Sequence, residues 1–213
     1  MKGILIVIGL GLLILANLAV WSEVLESETF EVSFLDVGQG DSIFLETPSG
    51  QQVLIDGGPD NTVLLRLDNR MLPWDRTIDL VILTHPDKDH VAGLIEVLKL
   101  YSVKQVLWTG VKKNTGEYDE WMRLLKEEGA VITIAFSPQR IYLDSGFIDV
   151  LYPGDIEGKS MNDTSMVLRL VVGDSSFLFT GDIEDKVERE LVESGISLKS
   201  DVLKVAHHGS KTS

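Results

Sequence analysis

Three short apolar segments of the chain each lead into residues that commonly bind metal ions. The segments are Leu80–Leu83, Phe177–Phe179 and Leu203–Ala206, followed by His85–His90, Asp182 and His207–His208 respectively. Short apolar runs that end in turn-like residues predict buried strands. Polar residues at the carboxyl ends of neighbouring strands gather at one edge of a sheet, where α/β proteins form their sites. The pattern therefore predicts a layered α/β domain with its functional residues at one sheet edge.

Histidine and carboxylate side chains are the strong metal ligands that this chain offers, because it contains no cysteine. Its four histidines form two pairs that are far apart in sequence, His85 with His90 and His207 with His208. Neutral imidazole and carboxylate suit zinc, and carboxylate-rich sets also suit manganese. A polar turn or an exposed loop is the alternative for each segment taken alone. A shared metal centre accounts for all four histidines together.

The segment His85–His90 holds four of these potential ligands within six residues. Alternate side chains of an extended backbone point to one side, so His85, Asp87 and Asp89 can converge, and His90 can reach a second position from the start of a helix. The aspartate after the second apolar segment is more ambiguous. Asp182 fits a metal site, but it also fits the N-cap of a helix predicted over Ile183–Glu193.

Alternating and helical patterns predict the rest of the domain. Alternation indicates strands that pair as hairpins around Thr47–Gly50 and Gly173–Asp174. Helical spacing predicts helices over Asn61–Met71, Val91–Tyr101 and Glu117–Glu128. Because strands outnumber helices and many pair with their sequence neighbours, we expect antiparallel or mixed sheets with helices outside.

The N-terminal segment Gly3–Trp21 is a run of 19 residues that carries no charge. Its length matches a hydrocarbon core of roughly 30 Å, and it lacks the polar stripe of a buried globular helix. We predict a transmembrane helix or signal anchor over residues 1–21, with a cleaved signal peptide as the alternative. Lys2 favours a cytoplasmic N-terminus and an extracytoplasmic domain at the cell membrane. Residues 22–29 are predicted to be an acidic linker, and residues 30–213 to be the domain.

Specific motifs narrow the family. His85-x-Asp87-x-Asp89-His90 resembles the His-x-His-x-Asp-His signature of the metallo-β-lactamase superfamily, with Asp87 in place of its second histidine. Further segments resemble the ComEC competence family, whose members internalise DNA. These segments are Phe34–Asp41, Leu54–Gly58, Asn162–Ser165, Phe179–Asp182 and Val205–Ser210. The resemblance covers the chain from about Phe30 onward, without the multi-helix channel region of full-length members. It implies an αββα sandwich with the site at one edge, between two sheets.

The resemblance also implies two metal positions. His85 and Asp87 would serve the first, Asp89, His90 and His207 would serve the second, and Asp182 would bridge them. The third histidine of the first position is missing, and Asn162 or Asp163 occupies that region. One divalent ion, or a second ion bound only with substrate, is therefore an alternative to two ions of zinc or manganese.

The remaining site residues receive supporting roles from the resemblance. Asp89 and Asp182 are the predicted catalytic residues, and Asp89 would also orient the attacking hydroxide. His208 is expected near the ligands or the substrate. Asp41 and Asp56 are expected to orient the ligands through hydrogen bonds.

The implied activity is metal-dependent hydrolysis of a phosphodiester such as DNA, with a competence-channel protein as a partner. Hydrolysis of another ester or lactam, and a non-catalytic remnant that binds metal or a partner, are alternatives because a fold does not settle the substrate. The net charge of −14 argues against broad binding to nucleic-acid phosphates. Lys112 and Lys113 form the best exposed basic pair, either over the site or simply in solvent. The chain ends five residues after His208, whereas family members continue, so we expect a domain that is incomplete at its C-terminus.

Overall fold

Two mixed β-sheets form the centre of the molecule in the computed structural model, which describes residues 2–25, 29–154 and 156–213. The first sheet consists, in order across the sheet, of β1 (Glu31–Phe34), β2 (Ile43–Glu46), β3 (Gln52–Ile55), β4 (Thr77–Leu83), β5 (Ser102–Trp108) and β6 (Val131–Ile134). The second consists of β11 (Val202–Lys204), β10 (Ser175–Phe179), β9 (Val167–Val172), β8 (Gly146–Tyr152) and β7 (Gln139–Leu143).

Strand direction divides each sheet into two parts. In the first sheet β1, β2 and β3 are antiparallel neighbours, whereas β3, β4, β5 and β6 run parallel to one another. In the second sheet β10 and β11 are parallel and the other neighbours are antiparallel. The predicted mixed sheets are confirmed, and the parallel pairs bring several strand ends to a common edge.

The described helices are α1 (Lys2–Leu25), α2 (Thr62–Asp68), α3 (Lys88–Leu100), α4 (Gly116–Glu128) and α5 (Asp185–Glu193). Helices α2 to α5 lie outside the two sheets. One buried cluster joins the first sheet to α2, α3 and α4, and a second lies between the sheets. A third joins β9 and β10 to α5. The predicted layered α/β sandwich is therefore confirmed.

Strand β4 illustrates why the sheets pack on both faces. Val81 and Leu83 belong to the helix-facing cluster, whereas Leu80 and Ile82 belong to the cluster between the sheets. Side chains of a strand alternate between its faces, so a continuous apolar run covers both. Each fully buried side chain of this size contributes roughly 1.5–3 kcal/mol, which fixes the strand end from which the site extends.

Some predicted boundaries differ from the structure. The helix expected over Asn61–Met71 is shorter, and Asn61 makes no capping hydrogen bond through its side chain. The carboxylate of Asp60 instead accepts the N–H of Thr62 at 2.8 Å, which satisfies the exposed donor at the helix start. The N-cap interpretation of Asp182 is wrong, because Glu184 holds the N-cap position of α5.

The N-terminal region also differs from the expected boundaries. Helix α1 extends through Leu25, so the first half of the predicted linker is helical, and residues 26–28 of that linker lie outside the described part of the chain. No helix within the described ranges combines the length and the apolarity required to cross a membrane. The expected membrane span is therefore not shown by the structure.

Candidate metal centre

The candidate site lies where two parallel strand pairs end. Asp56 follows β3 and His85 follows β4, and the two strands run parallel in register. Asp182 follows β10 and His208 follows β11, which are also parallel. The loop between β1 and β2 contributes Asp41. The structure thus brings residues from all three apolar segments to one site, as the pattern of strand ends predicts.

Asp56 connects the two strand ends on the first sheet. It is almost completely buried, and its carboxylate accepts the backbone N–H of Thr84 at 2.8 Å and the Thr84 hydroxyl at 2.7 Å. The same carboxylate lies 2.8 Å from Nδ1 of His90. A carboxylate that is hydrogen-bonded to one ring nitrogen fixes the orientation of an imidazole, so that its other nitrogen can bind a metal ion. The expected orienting role of Asp56 thus has a specific target, His90.

Two close backbone approaches hold the start of α3 against these loops. A Cβ atom on Gly93 would lie 1.8 Å from the carbonyl oxygen of Gly57, so the helix packs directly on the loop after β3. A Cβ atom on Gly40 would lie 2.1 Å from the carbonyl oxygen of Asp89. Neither position has room for a larger residue. The glycines therefore determine how near the Asp89–His90 turn lies to the strand ends.

Four side chains converge at the centre, and we call them the primary cluster: Asp89, His90, Asp182 and His208. One ligand atom from each lies within 4.8 Å of those of the others. Oδ2 of Asp182 lies 3.2 Å from Nε2 of His90 and 3.1 Å from Nε2 of His208. Nε2 of His208 also lies 3.6 Å from Oδ2 of Asp89. Two imidazoles and two carboxylates thus face a common point.

Lys204 of the second sheet and Asp41 of the β1–β2 loop together support the cluster. The Lys204 ammonium forms an ion pair with Asp41, donates to the carbonyl oxygen of Gly181 at 2.9 Å and lies 3.6 Å from Oδ1 of Asp182. Oδ1 of Asp41 lies 3.4 Å from Nδ1 of His208. Asp41 therefore stands behind His208 as Asp56 stands behind His90, which agrees with the expected orienting role of both carboxylates.

The charges of the cluster are strongly coupled. Hydrogen bonds to Asp182, Asp41 and Asp89 raise the pKa of His208 to about 11. Burial opposes protonation of His90, but the charge of Asp56 and the hydrogen bonds to its ring raise its pKa to about 10. Hydrogen bonding with His208 lowers the pKa of Asp89 to about 2. The Asp89 carboxylate thus stays negatively charged and favours positive charge beside it. Protonated histidines supply that charge in this structure, and a divalent cation would supply it equally well.

A second, smaller group adjoins the cluster, and we call His85 and Asp87 the flanking pair. Nε2 of His85 lies 4.0 Å from Oδ2 of Asp87, and the His85 side chain is fully buried. Burial, together with the charge of His90, lowers the pKa of His85 well below its usual value. The ring is therefore neutral, which is the form in which an imidazole can bind a metal ion. Oδ1 of Asp87 accepts a hydrogen bond from the ammonium of Lys113 at 2.6 Å.

His207 lies outside the primary cluster, although the family resemblance assigns it as a ligand. Its Nε2 lies 3.4 Å from the side-chain amide of Asn162, and its Nδ1 lies 3.0 Å from the Thr212 hydroxyl. Consecutive residues His207 and His208 have φ of 45° and 53°, a left-handed turn that directs the two rings apart. The structure thus places His208 where the sequence led us to expect His207.

Asn162 and Asp163 also lie away from the flanking pair. The amide of Asn162 donates to Glu184 at 3.3 Å, and the carboxylate of Asp163 accepts the backbone N–H of Glu184 at 3.0 Å. Asp163 therefore stabilises the start of α5. Among the described residues, no hydrogen bond or ion pair joins either side chain to His85 or Asp87, so the structure shows no replacement for the missing third histidine there.

The residues present fit a divalent cation. Within the described part of the chain, Nε2 of His85 and Oδ1 of Asp182 are buried atoms without a hydrogen-bond partner, and both belong to this site. Buried polar atoms rarely lack partners unless they serve a function or contact an unseen ion. Imidazoles held by carboxylates and free carboxylate oxygens are the donor set of zinc and manganese sites. The primary cluster is therefore a candidate metal centre.

The sequence patterns did not predict several residues that support the site. Lys204 lies within an apolar run, and strand alternation places it on the opposite face from Leu203 and Val205. A lone lysine on that face was a signal that could have identified it. The Ser165 hydroxyl accepts the N–H of Asp182 at 3.1 Å, and Thr84 accompanies Asp56 as described above. These contacts are not marked by spacing, because each joins residues that are distant in sequence.

Comparisons with known proteins agree with this fold. The family model described as the metallo-beta-lactamase superfamily matches residues 35–213. ComE operon protein 3 of Bacillus subtilis is 30% identical over 206 residues, which cover 86% of this chain and 26% of that protein. Competence protein ComA of Neisseria gonorrhoeae is 30% identical over 188 residues, which cover 85% of this chain and 24% of that protein.

A solved structure supports the fold. The metallo-beta-lactamase fold protein YhfI from Bacillus subtilis superposes with a TM-score of 0.55 at 15% identity, over 82% of this chain and 70% of that one. This likeness concerns the fold alone. The chain spans about a quarter of the length of the curated relatives it matches.

Proposed function

Since the chain belongs to the metallo-beta-lactamase superfamily, we propose that it is a hydrolase that cleaves phosphodiesters with a divalent metal ion held by the primary cluster. The observation that carries this proposal is the convergence of two imidazoles and two carboxylates within 4.8 Å at one sheet edge. Asp89, His90, Asp182 and His208 would hold the ion, which is zinc or manganese. A second ion, if bound, would lie with the flanking pair.

The chemistry divides between the ion and the chain. When bound, a divalent ion lowers the pKa of water and polarises a phosphoryl oxygen. The carboxylate of Asp89 is partly exposed and stands at the first turn of α3, where it can accept a hydrogen bond from an incoming water molecule and orient it. Asp182 is held by the backbone contact to Ser165 and by Lys204 at its Oδ1 side. These residues are thus positioned before substrate arrives.

DNA is the phosphodiester that we propose as substrate, in a role connected with competence. The support is the match to a competence protein and the competence-type motifs of the sequence. The net charge of −14 opposes broad contact with phosphates, so substrate would be held mainly at the metal centre. A competence-channel protein is the partner that we propose on the same grounds.

Membrane attachment is a further part of the proposal, and its support is the sequence. Gly3–Trp21 carries no charge, and described side chains of α1 such as Leu12 and Leu13 are exposed and apolar. We propose that this segment tethers the domain to the cell membrane on its extracytoplasmic side. Fractionation of cells that express the full chain, followed by protease treatment of spheroplasts, tests both points. Release of the chain by carbonate washing would contradict an integral anchor.

The activity is tested on the full chain in detergent, stripped with a chelator and reloaded with manganese or zinc. We expect hydrolysis of bis(p-nitrophenyl) phosphate and of labelled DNA, and no hydrolysis of a chromogenic β-lactam. Asp182→Asn should reduce turnover by about 10²- to 10³-fold. Asp174→Asn, in the exposed turn between β9 and β10, is the control and should change nothing.

Other outcomes would point to the alternatives. Turnover of the β-lactam without turnover of either phosphodiester would replace the proposed substrate class with a lactam or another ester. Metal binding by a folded chain without any turnover would favour a non-catalytic metal-binding or partner-binding protein.

A further inference from the structure

The flanking pair is poorer in ligands than the primary cluster. His85 offers one nitrogen and Asp87 one carboxylate, and the side chains of Asn162 and Asp163 are engaged near Glu184 instead. In the part of the chain that the structure describes, the carboxylates of Asp182 and Asp89, both members of the primary cluster, also act on His85 through their charge. A metal ion at this position would have His85 and Asp87 as its own ligands and would have to share Asp182 or Asp89 with the primary cluster, whereas a catalytic zinc ion takes three protein ligands.

A lysine occupies the position opposite this pair. The Lys113 ammonium donates to Oδ1 of Asp87 at 2.6 Å, while Oδ2 of the same carboxylate faces His85. Both partners of this ion pair are about three-quarters buried, with 26% of each side chain exposed. The neighbouring Lys112 is exposed. The predicted basic pair thus divides into a solvated lysine and a lysine that belongs to the site.

The loop that carries Lys113 is anchored at both ends. It leaves β5 at Trp108, whose carbonyl oxygen accepts the N–H of Ala135 at 2.8 Å. It enters α4 at Thr115, whose hydroxyl accepts the N–H of Tyr118 at 3.3 Å. The buried ring of Tyr118 packs near Trp108. The ammonium is therefore held at Asp87 by the surrounding structure and by the ion pair itself.

Charge decides between this ammonium and a second metal ion. Asp87 holds the Lys113 ammonium on its Oδ1 side, and a divalent ion between His85 and Asp87 would lie on its Oδ2 side, close to that ammonium. Like charges at such separations in a partly buried site repel strongly. A lysine ammonium also needs only oxygen acceptors, which suits a position where His85 is the one histidine of the three in the family pattern.

We propose that Lys113 takes the place of a second metal ion, so that the chain binds one divalent ion at the primary cluster while the Lys113–Asp87 pair closes the flanking position. The inference rests on the proposed metal-dependent function and specifies its stoichiometry. It also gives a physical reason for the aspartate at position 87, where the family motif has histidine: a carboxylate pairs with an ammonium, and an imidazole does not.

The test measures bound metal rather than activity. The full chain is stripped, loaded with excess zinc, desalted and analysed by elemental analysis, with circular dichroism to establish that each variant is folded. We expect one ion per chain in the wild type and in the control Lys112→Met. The double variant Asp87→His with Lys113→Met restores an imidazole and removes the ammonium, so it should bind two ions.

A second measurement locates the additional ion. Nitrogen NMR of the zinc-loaded protein should show Nε2 of His85 without metal in the wild type and with metal in the double variant. Two ions in the wild type, or one ion in the folded double variant, would overturn the inference and leave the proposed hydrolase intact. No bound ion in the folded wild type would instead overturn the proposed metal-dependent function, and the inference with it.

Discussion

The two sides of the candidate metal centre are built in different ways. On the first sheet, His90 is fully buried and its ring is fixed by Asp56, which also ties down Thr84. On the second sheet, His208 is 25% exposed and follows an edge strand of three residues. We call these the helix side and the edge side. The helix side is positioned by the core of the domain, whereas the edge side depends on a short strand and a left-handed turn.

The two sides differ in the interactions that hold their histidines in place. Helix α3 packs into the cluster that joins it to the first sheet, and its buried residues stabilise His90 whether or not a ligand is present. Side chains of β11 such as Leu203 and Val202 are partly exposed, so less apolar burial holds His208. The edge side must therefore gain much of its order from polar contacts, and we expect a bound ion to add to them.

We expect the largest loss of turnover when the edge side loses one of its two adjacent histidines, His208. His208→Ala removes a primary-cluster ligand, and turnover of the phosphodiester should fall about 10³-fold, equal to about 4 kcal/mol. His207→Ala is the matched control, because both rings are about one-quarter exposed and both residues have positive φ. It should retain turnover within about threefold, since its contacts lie outside the cluster. Equal losses would return the ligand role to His207.

The next prediction concerns the stability of the helix side, which depends on close backbone packing at Gly93. Gly93→Ala forces a Cβ atom against the carbonyl oxygen of Gly57, so α3 must shift, and we expect a loss of about 3 kcal/mol in the free energy of unfolding. Gly209→Ala has open space around its Cβ position and only the cost of a positive φ, about 1 kcal/mol. Urea denaturation measures both. Similar losses would show that close packing does not distinguish the two sides.

A smaller effect compares the two supporting carboxylates. Asp56→Asn weakens the hold on His90 and should reduce metal affinity by about 10- to 100-fold. Asp41→Asn should reduce it by less than about tenfold, because Lys204 retains its contacts with Gly181 and Asp182 and the edge side can adjust. Calorimetric titration with zinc gives both affinities. A larger loss for Asp41→Asn would reverse the assignment of the rigid side.

The same contrast explains what the sequence could predict. The apolar runs indicated the mixed sheets, and the spacing of His85, Asp87, Asp89 and His90 brought the ligand-rich segment to the start of α3, because strand and helix geometry are local. The choice between His207 and His208 depends on two consecutive left-handed residues. Propensity does not reveal such a turn, since non-glycine residues adopt positive φ only where the surrounding structure requires it.

Contacts between residues that are distant in sequence were the other feature that the sequence could not predict. Lys204 with Asp41, and Lys113 with Asp87, join residues whose sequence separation carries no pattern. The resemblance placed Asn162 or Asp163 at the position of the missing histidine, yet both side chains face Glu184. A motif indicates which segments approach each other, but the direction of a side chain within a loop depends on the partners it finds there.

The smallest expected effect concerns local opening when metal is removed. Chelation should speed hydrogen exchange of backbone amides in residues 202–213 by up to about tenfold, equal to about 1.4 kcal/mol, because the edge side loses the ion that joins it to the helix side. Amides of α3 should change less, since apolar packing holds that helix. The His208→Ala protein is the control and should show no chelator response in residues 202–213. Equal acceleration of both segments would mean that the ion stabilises the whole domain uniformly, and the two sides would then differ in exposure without differing in stability.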